Sequence, residues 1–333
     1  MRLFVTGGAG FIGSNFIRHL LSNFPDYKVI NFDKLTYAGN LDNLRDIDDH
    51  PNYQFIRGDI CDRDALEAVA GADVVINFAA ESHVDRSIEN AAGFIETNVL
   101  GTQTLLDASR AAGVSRFVQI STDEVMGSCT EHSYFTEDSP MQPNSPYAAS
   151  KAAAEHLVRA AHVTFGLAVV TTRASNNYGP YQFPEKLIPL MITNAMEDKP
   201  LPVYGDGKNV RDWLYVGDCC KAIEAVLHRG RAGEVYNISS RAEKTNIEIV
   251  HTLLDLLGKP HSLIKFVTDR PGHDRRYATD PTKIERELGW QPEESFMSGI
   301  EKTVNWYRDN AEWVARTRSG AYLEYYERTY GGR

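Results

Sequence analysis

Short apolar, β-branched runs recur along the first half of the chain, each followed by a longer stretch with helical periodicity. Runs at 2–6, 28–33, 53–57, 74–78, 116–121 and 168–173 read as strands, and 14–23, 93–112 and 147–165 as helices. Strands alternating with helices of that length imply βαβ units and a parallel sheet with helices on its faces. Past Asn176 the pattern changes. Gly179-Pro180, Pro184, Pro189, Pro200, Pro202, Gly205 and Gly207 punctuate it, which marks excursions away from a sheet. Helices are expected there at 187–196, 218–228, 247–257 and 296–310. The division predicted is a doubly wound α/β domain over 1–176 and a smaller mixed α/β lobe over 177–333, with a strand or two returning to the sheet.

The first strand-to-helix junction carries Gly7-Gly-Ala-Gly10-Phe-Ile-Gly13. In a Rossmann-type fold the first glycine permits the tight turn and the second lets the backbone approach a pyrophosphate. The third allows close packing of helix on strand, while the helix N-terminus faces the negative charge. Asp33 closes the second strand about twenty residues past Gly13, where a carboxylate accepts hydrogen bonds from an adenosine ribose. That favours NAD over NADP, although Lys34 beside it keeps NADP open. Asp59, after the third strand, is either an adenine contact or the cap of a helix starting near Asp62.

Tyr147 and Lys151 stand one helical turn apart on one face, with Pro146 suited to the first turn. A tyrosine acting as a base near neutrality needs about 4 kcal/mol of differential stabilisation of its phenolate. A neighbouring Lys⁺ and a cationic nicotinamide act in that direction. Ser121-Thr122-Asp123-Glu124 ends the fifth strand, at the sheet edge where open α/β folds bind ligands. Adjacent acids also fit a solvated turn or a helix N-terminus. Their chemical use would be a paired base and acid beside a transient ketone, each typically worth about 10²–10⁴-fold. Thr122 is placed to hydrogen-bond the reacting hydroxyl.

Of the 333 residues 42% are hydrophobic and 24% charged, ordinary for a globular protein. A formal net charge of −10 argues against a nucleic-acid partner. Met1-Arg2 leads directly into an apolar strand, and no stretch reaches the ~20 apolar residues of a membrane span. Cys61, Cys129, Cys219 and Cys220 form neither metal-ligand spacing nor a disulfide framework. A cytoplasmic protein without membrane or metal is therefore expected; His83 and His273 have no second ligand at helical or hairpin spacing.

These motifs resemble the extended short-chain dehydrogenase/reductases, and among them the dTDP-glucose 4,6-dehydratase family. The likeness includes Asp33-Lys-Leu-Thr-Tyr-Ala-Gly-Asn40, Ala79-Ala-Glu-Ser-His-Val-Asp-Arg86 and Asn176-Asn-Tyr-Gly-Pro-Tyr181. It continues through Phe183-Pro-Glu-Lys-Leu-Ile-Pro189, Arg211-Asp-Trp-Leu-Tyr215, Asp269-Arg-Pro-Gly-His-Asp-Arg-Arg276 and Ser319-Gly-Ala-Tyr322. The resemblance implies a homodimer holding NAD⁺ tightly. It would oxidise C4 of dTDP-glucose, remove water across C5 and C6, and return the hydride to C6. Thr122, Asp123, Glu124, Tyr147 and Lys151 would form the catalytic set, with Glu124 as base and Asp123 as acid. Gly7, Gly10, Phe11, Ile12, Gly13, Asp33, Lys34, Leu35, Thr36, Asp59, Ile60, Phe78, Ala79, Ala80, Ser82, Thr97 and Asn177 would contact NAD, as would Tyr147 and Lys151. Ser82, Thr122, Asp123, Asn176, Lys186, Leu187, Pro202, Val203, Tyr204, Arg211, Asn246, Asp269, Arg270 and His273 would contact the nucleotide sugar. Arg211 and Arg270 offer planar forks suited to a pyrophosphate, although Arg211-Asp212 also reads as a surface ion pair.

Three departures qualify the resemblance. Met126 stands where the family usually has a tyrosine, putting a thioether in place of a hydroxyl near the acids. Arg173 precedes Asn176-Asn177 where some members have a neutral residue, and Cys219-Cys220 occupies a variable stretch. The alternatives are the same chemistry on UDP-glucose or UDP-N-acetylglucosamine, a 4-epimerase, a UDP-uronate decarboxylase, or a non-catalytic NAD-binding regulator. An epimerase needs no acid–base pair after the strand. A decarboxylase needs a cationic clamp for a C6 carboxylate, which the sequence does not place. A regulator has no use for the tyrosine–lysine pair.

Overall fold

The computed structural model describes residues 1–318, so the Ser319-Gly-Ala-Tyr322 run lies outside the described residues. In chain order the strands are β1 (Arg2–Thr6), β2 (Lys28–Asp33), β3 (Tyr53–Arg57), β4 (Val74–Asn77), β5 (Arg116–Thr122) and β6 (Val169–Ala174). After them come β7 (Asn176–Tyr178), β8 (Leu201–Tyr204), β9 (Val210–Tyr215), β10 (Val235–Ile238), β11 (Glu243–Thr245) and β12 (Ile264–Val267). The helices are α1 (Phe11–Asn23), α2 (Val84–Glu89), α3 (Ala92–Phe94), α4 (Thr102–Ala111), α5 (Pro146–Phe165) and α6 (Leu187–Met196). The last five are α7 (Val216–Arg229), α8 (Asn246–Leu257), α9 (Thr282–Leu288), α10 (Phe296–Asp309) and α11 (Ala311–Thr317). None of the described helices is long and apolar enough to cross a membrane.

Seven parallel strands form the central sheet in the order β10-β6-β5-β4-β1-β2-β3. Strand order reverses between β1 and β4, which opens a crevice at their carboxyl ends. All but the edge strand β3 are largely buried on both faces, so β1, β2, β4, β5 and β6 read as apolar runs rather than alternating ones. One face packs on α1 and α7 through Phe16, Ile17, Leu20, Cys219, Ile223 and Val226; Phe4, Phe32, Leu105, Phe117 and Val158 fill the other. The seventh strand, β10, comes from beyond residue 177, and α7 with it. Both halves of the chain therefore build the sheet domain. A second apolar core joins α6, α8, α10 and α11 around Ile192, Leu253, Ile300 and Trp313. Beside it lie a three-stranded sheet, β11-β9-β7, and the parallel pair β12-β8.

Most predicted elements fall within a residue or two of the observed ones, but the single helix over 93–112 does not. The chain winds as α3, then a π-helical stretch over Ile95–Gly101, then α4. Asn98 accounts for the widened turn. Its amide donates to Glu81 O (3.0 Å) and Ser150 Oγ (2.8 Å), while its Oδ1 accepts from the Glu81 N–H (2.9 Å). Such a bulge near a site is characteristic of π-turns. The short elements α2, α9, α11 and β7 to β9, β11 and β12 carried too little periodicity to be read individually.

Arg173, on β6, forms a bidentate ion pair with Glu155 on α5, each side chain 3% exposed. Its remaining nitrogen donates to Glu137 O (3.2 Å) and faces Met126 Sδ at 3.6 Å. Removing one partner of a buried pair leaves an uncompensated charge, at a cost of about 3–5 kcal/mol. Glu155→Ala is thus expected to lower unfolding free energy by that much in urea titrations; a loss below about 1 kcal/mol would place the pair in the solvent-exposed class.

Candidate active site

The cleft at the carboxyl ends of β1, β4 and β5 gathers most of the predicted cofactor and acid–base residues from nine separate chain segments. Gly7 turns with φ +69°, and a Cβ there would lie 2.5 Å from Ala79 N. A Cβ on Gly13 would meet Gly7 O at 2.4 Å, so only glycine allows helix α1 to seat against the turn. The first turn of α1 has neither an acidic residue nor a side-chain cap on its N–H groups, leaving them available to an anion. Asp33 accepts from the N–H groups of Ala9 (2.9 Å) and Leu35 (2.8 Å), which fixes its carboxylate at the cleft wall. With about four lone-pair sites, that carboxylate keeps capacity for two hydroxyls. Lys34 Nζ lies 2.6 Å from Asp59 Oδ2. The cation beside Asp33 is thus already matched, and Asp59 also accepts from Cys61 N–H rather than capping a helix near Asp62.

Gly10, Phe11, Ile12, Thr36, Ile60, Phe78, Ala79, Ala80, Ser82, Thr97 and Asn177 line the same cleft. Leu35 does not. Its backbone, at φ +58°, supports Asp33 while its side chain packs into the sheet core. Residues given no role from the sequence also line it, among them Ala38, Gln182, Phe183 and Glu185.

The reacting end is built by β5 and α5. Thr122 ends β5 and caps a short 3₁₀ turn, Asp123–Met126, by accepting from Glu124 N–H (3.3 Å). Thr122 Oγ1 also donates to Asp123 Oδ1 (3.3 Å), while Asp123 Oδ2 is buried without a hydrogen-bond partner among the described residues. Ser145 caps α5 by accepting from Ala148 N–H (3.1 Å), with Pro146 in the first turn, so Tyr147 and Lys151 enter the cleft one above the other. Lys151 Nζ donates to Ile120 O at 2.7 Å.

Burial dominates the charges here. It raises Asp123 to about 8, with the neighbouring Glu124 charge adding to the effect, and it raises Glu124 too, against the pull of Arg270, Lys186 and Arg211. Burial lowers Lys151 to about 8, opposed by Glu155, and pushes Tyr147 well above its ordinary value, reinforced by Glu124. The expected depression of Tyr147 is therefore not supplied by the chain's own groups. An acid held neutral next to a second carboxyl and a tyrosine can donate a proton on one side and accept one on the other.

A cationic set lies beyond the acids. Lys186 Nζ donates to Ser82 O (2.8 Å), and Arg211 to Val210 O (2.7 Å) and Asp274 O (2.9 Å), with its guanidinium 4.1 Å from the Tyr277 ring centre. Arg211 and Asp212 do not form a surface ion pair. Successive residues of β9 face opposite ways, and Asp212 is bonded instead by Ser240 Oγ and the Ala242 N–H. Asp85 joins this end of the cleft to the second lobe, accepting from Arg270 (2.8 Å) and Tyr204 OH (2.9 Å). Those partners lie 185 and 119 residues away, which no local pattern signals. His273 bonds Asp269 at 2.6 Å and stands edge-on to Tyr204. Val203 and Pro202 are buried, and Val203 belongs to the second core rather than to an open wall. Leu187 packs against that core, while Asn246 opens α8 and donates its N–H to Asn209 O (3.0 Å). Met126 is buried against Ala152 and Val125 and faces Arg173, away from the cleft lining.

A carboxyl whose folded value exceeds its unfolded one stabilises the fold fully only below the unfolded value. That contribution is lost as pH rises towards about 8 for Asp123. Asp123→Asn should therefore gain roughly 1–3 kcal/mol relative to the parent at pH 8, and little at pH 4, in denaturant titrations. Equal shifts at both pH values would contradict a neutral Asp123.

The family model described as GDP-mannose 4,6 dehydratase matches residues 4–303. The dTDP-glucose 4,6-dehydratase of Salmonella typhimurium is 51% identical across the whole of both chains, and that of Streptomyces niveus is 54% identical over 94% of each. Among solved structures, DesIV (dTDP-glucose 4,6-dehydratase) from Streptomyces venezuelae with NAD and TYD bound superimposes with a TM-score of 0.93. It is 54% identical, over 95% of this chain and 100% of that one. Thermus thermophilus UDP-glucose 4-epimerase in complex with NAD gives 0.87 at 32% identity, covering 93% and 100%. A Gly-rich turn, a tyrosine–lysine helix and a paired acid at the end of β5, in a chain half identical to these dehydratases, make it a member of the dTDP-glucose 4,6-dehydratase family.

Proposed function

We propose that the cleft holds NAD and dTDP-glucose and converts the sugar nucleotide to dTDP-4-keto-6-deoxyglucose with loss of one water. The observation that carries this reading is Asp123, buried in the cleft beside Glu124 and Tyr147 with an Oδ2 that has no hydrogen-bond partner among the described residues. Bound NAD⁺ would supply the hydride acceptor for C4 oxidation and the hydride donor for C6, and its positive ring would favour the phenolate of Tyr147. Tyr147 takes the proton of the C4 hydroxyl, with Thr122 bonding that oxygen. Oxidation at C4 makes the C5 proton acidic. Glu124 removes it, Asp123 protonates the departing C6 hydroxyl, and water leaves; once hydride has been added at C6, Glu124 gives a solvent-exchanged proton back to C5. Lys151, fastened to Ile120 O, holds a positive charge under the tyrosine helix turn. Gly7, Gly10 and Gly13 with the start of α1 receive the pyrophosphate of the cofactor, and Asp33 receives its adenosine ribose. Lys186, Arg211 and Arg270 face the sugar nucleotide's diphosphate, with Tyr204, His273 and Asn246 around the base.

The acid pair favours dehydration over 4-epimerisation, which transfers hydride at C4 alone and has no group to protonate at C6. The nucleotide is assigned to dTDP on the half-identical relatives. We assign the chain to the cytoplasm and to a homodimer. The second assignment is supported by Ile95, Leu100, Val163 and Phe165, each 50–65% exposed along the π-helical stretch and α5. A domain of 1–176 supplies the cofactor and the acid–base groups, completed by β10 and α7, and 177–333 supplies most of the nucleotide-sugar contacts.

Two substitutions separate the steps. Glu124→Gln is expected to abolish solvent deuterium uptake at C5 while C4 oxidation still appears as NADH absorbance, and turnover within ten-fold of the parent would end its role as base. Tyr147→Phe should suppress that absorbance in a single turnover by at least about 10²-fold; NADH forming at the parental rate would remove the tyrosine from the first step.

A further inference from the structure

We infer that α11 straps the cofactor loop in place, and that Trp313 and Asn43 are positioning residues for NAD retention acting through Asp33. The inference rests on the NAD reading above. A line of buried hydrogen bonds runs from the last described helix to the carboxylate at the end of β2. The Trp313 indole N–H donates to Asn43 Oδ1 at 2.9 Å, across 270 residues of sequence. Asn43 Nδ2 donates to Ala9 O at 2.9 Å, and the Ala9 N–H donates to Asp33 Oδ2 at 2.9 Å. Asn43 and Ala9 are essentially inaccessible, with Trp313 5% and Asp33 7% exposed. Each donor in the line has one acceptor in a dry setting, where a lost partner is costly and geometry is transmitted.

Two further contacts tie the same helix to the same loop. Arg316 Nε donates to Asp42 Oδ2 at 2.6 Å, and Asn40 Nδ2 to Thr317 Oγ1 at 3.4 Å. Asn40 N–H joins Asn43 on Ala9 O (3.0 Å), so the whole Asn40–Asn43 turn is fastened to the glycine-rich segment. The far end is anchored as well. The Trp313 ring packs against Trp306, Tyr307 and Tyr181 in the core of the second lobe. Packing of the nucleotide-sugar lobe is thereby connected to the carboxylate that faces the cofactor ribose. The reaction has a use for that connection. With no net redox change, the same cofactor molecule must stay bound from C4 oxidation until its hydride returns to C6.

The test exchanges isotopically labelled NAD on the holoenzyme against a chase of unlabelled NAD, followed by mass spectrometry. Trp313→Phe keeps the ring and removes only the N–H. It is expected to speed NAD release about five-fold, the worth of one net hydrogen bond, with kcat unchanged in excess NAD. In an Asp33→Ala background the same substitution should have no further effect on release, because its influence passes through that carboxylate. Release at the parental rate, or an equal acceleration with and without Asp33, would overturn the inference and leave α11 as packing alone. If Trp313→Phe does not fold, Asn43→Ser breaks the line at its middle and is read by the same two comparisons. A parent enzyme that retains no NAD at all would overturn the cofactor reading itself, an outcome distinct from either result on the variants.

Discussion

Desolvation at the end of β5 is the condition that the rest of the site depends on. Asp123, Glu124, Tyr147 and Lys151 share one cleft, and burial moves each of them towards its neutral form. Keeping ionisable groups out of water costs several kcal/mol each unless partners compensate. The surroundings supply those partners unevenly. Lys151 has a backbone carbonyl and the nearby Glu155, and Glu124 feels three cations from the opposite wall. Asp123 is left with an unpaired oxygen. That imbalance sets the chemistry, since the group with least support stays protonated and becomes the acid.

The parallel sheet explains why the site can tolerate this. Strands buried on both faces make a stiff floor, and α5 is fastened to it by the Arg173–Glu155 pair, one turn beyond Lys151. Met126 belongs to that fastening rather than to the reaction, as its sulfur accepts from Arg173 Nη1 at 3.6 Å. Two of the three departures noted in the sequence, Met126 and Arg173, are thus neighbours in space and concern how α5 is held.

The sheet, its glycine turn and the Tyr147–Lys151 helix were legible because each depends on local spacing: period-two or apolar strands, glycines where a Cβ cannot fit, and side chains one turn apart. The bulge at Asn98 was not, since it arises from bonds to Glu81 and Ser150, which no helical period encodes. Asp85, Glu185 and the Trp313–Asn43 line escaped for the same reason. Their partners lie about 100 to 270 residues away, and single-sequence patterns are silent on such pairs. Val203, placed by likeness among the nucleotide-sugar contacts, has its side chain in the second core. In the chain by itself burial pushes Tyr147 up and Glu124 adds to the effect, so the depression expected of it rests on the cationic nicotinamide.

The central claim is that one hydride leaves C4, waits on the cofactor while water is lost, and returns to C6 of the same sugar. Its most direct measurement is the fate of deuterium in dTDP-glucose labelled at C4, turned over in ordinary water and read by mass spectrometry and NMR. The account predicts that the label is retained and found at C6 of the 4-keto-6-deoxy product, with a solvent proton at C5. Loss of the label to solvent, or its return to C4 with no water lost, would contradict it.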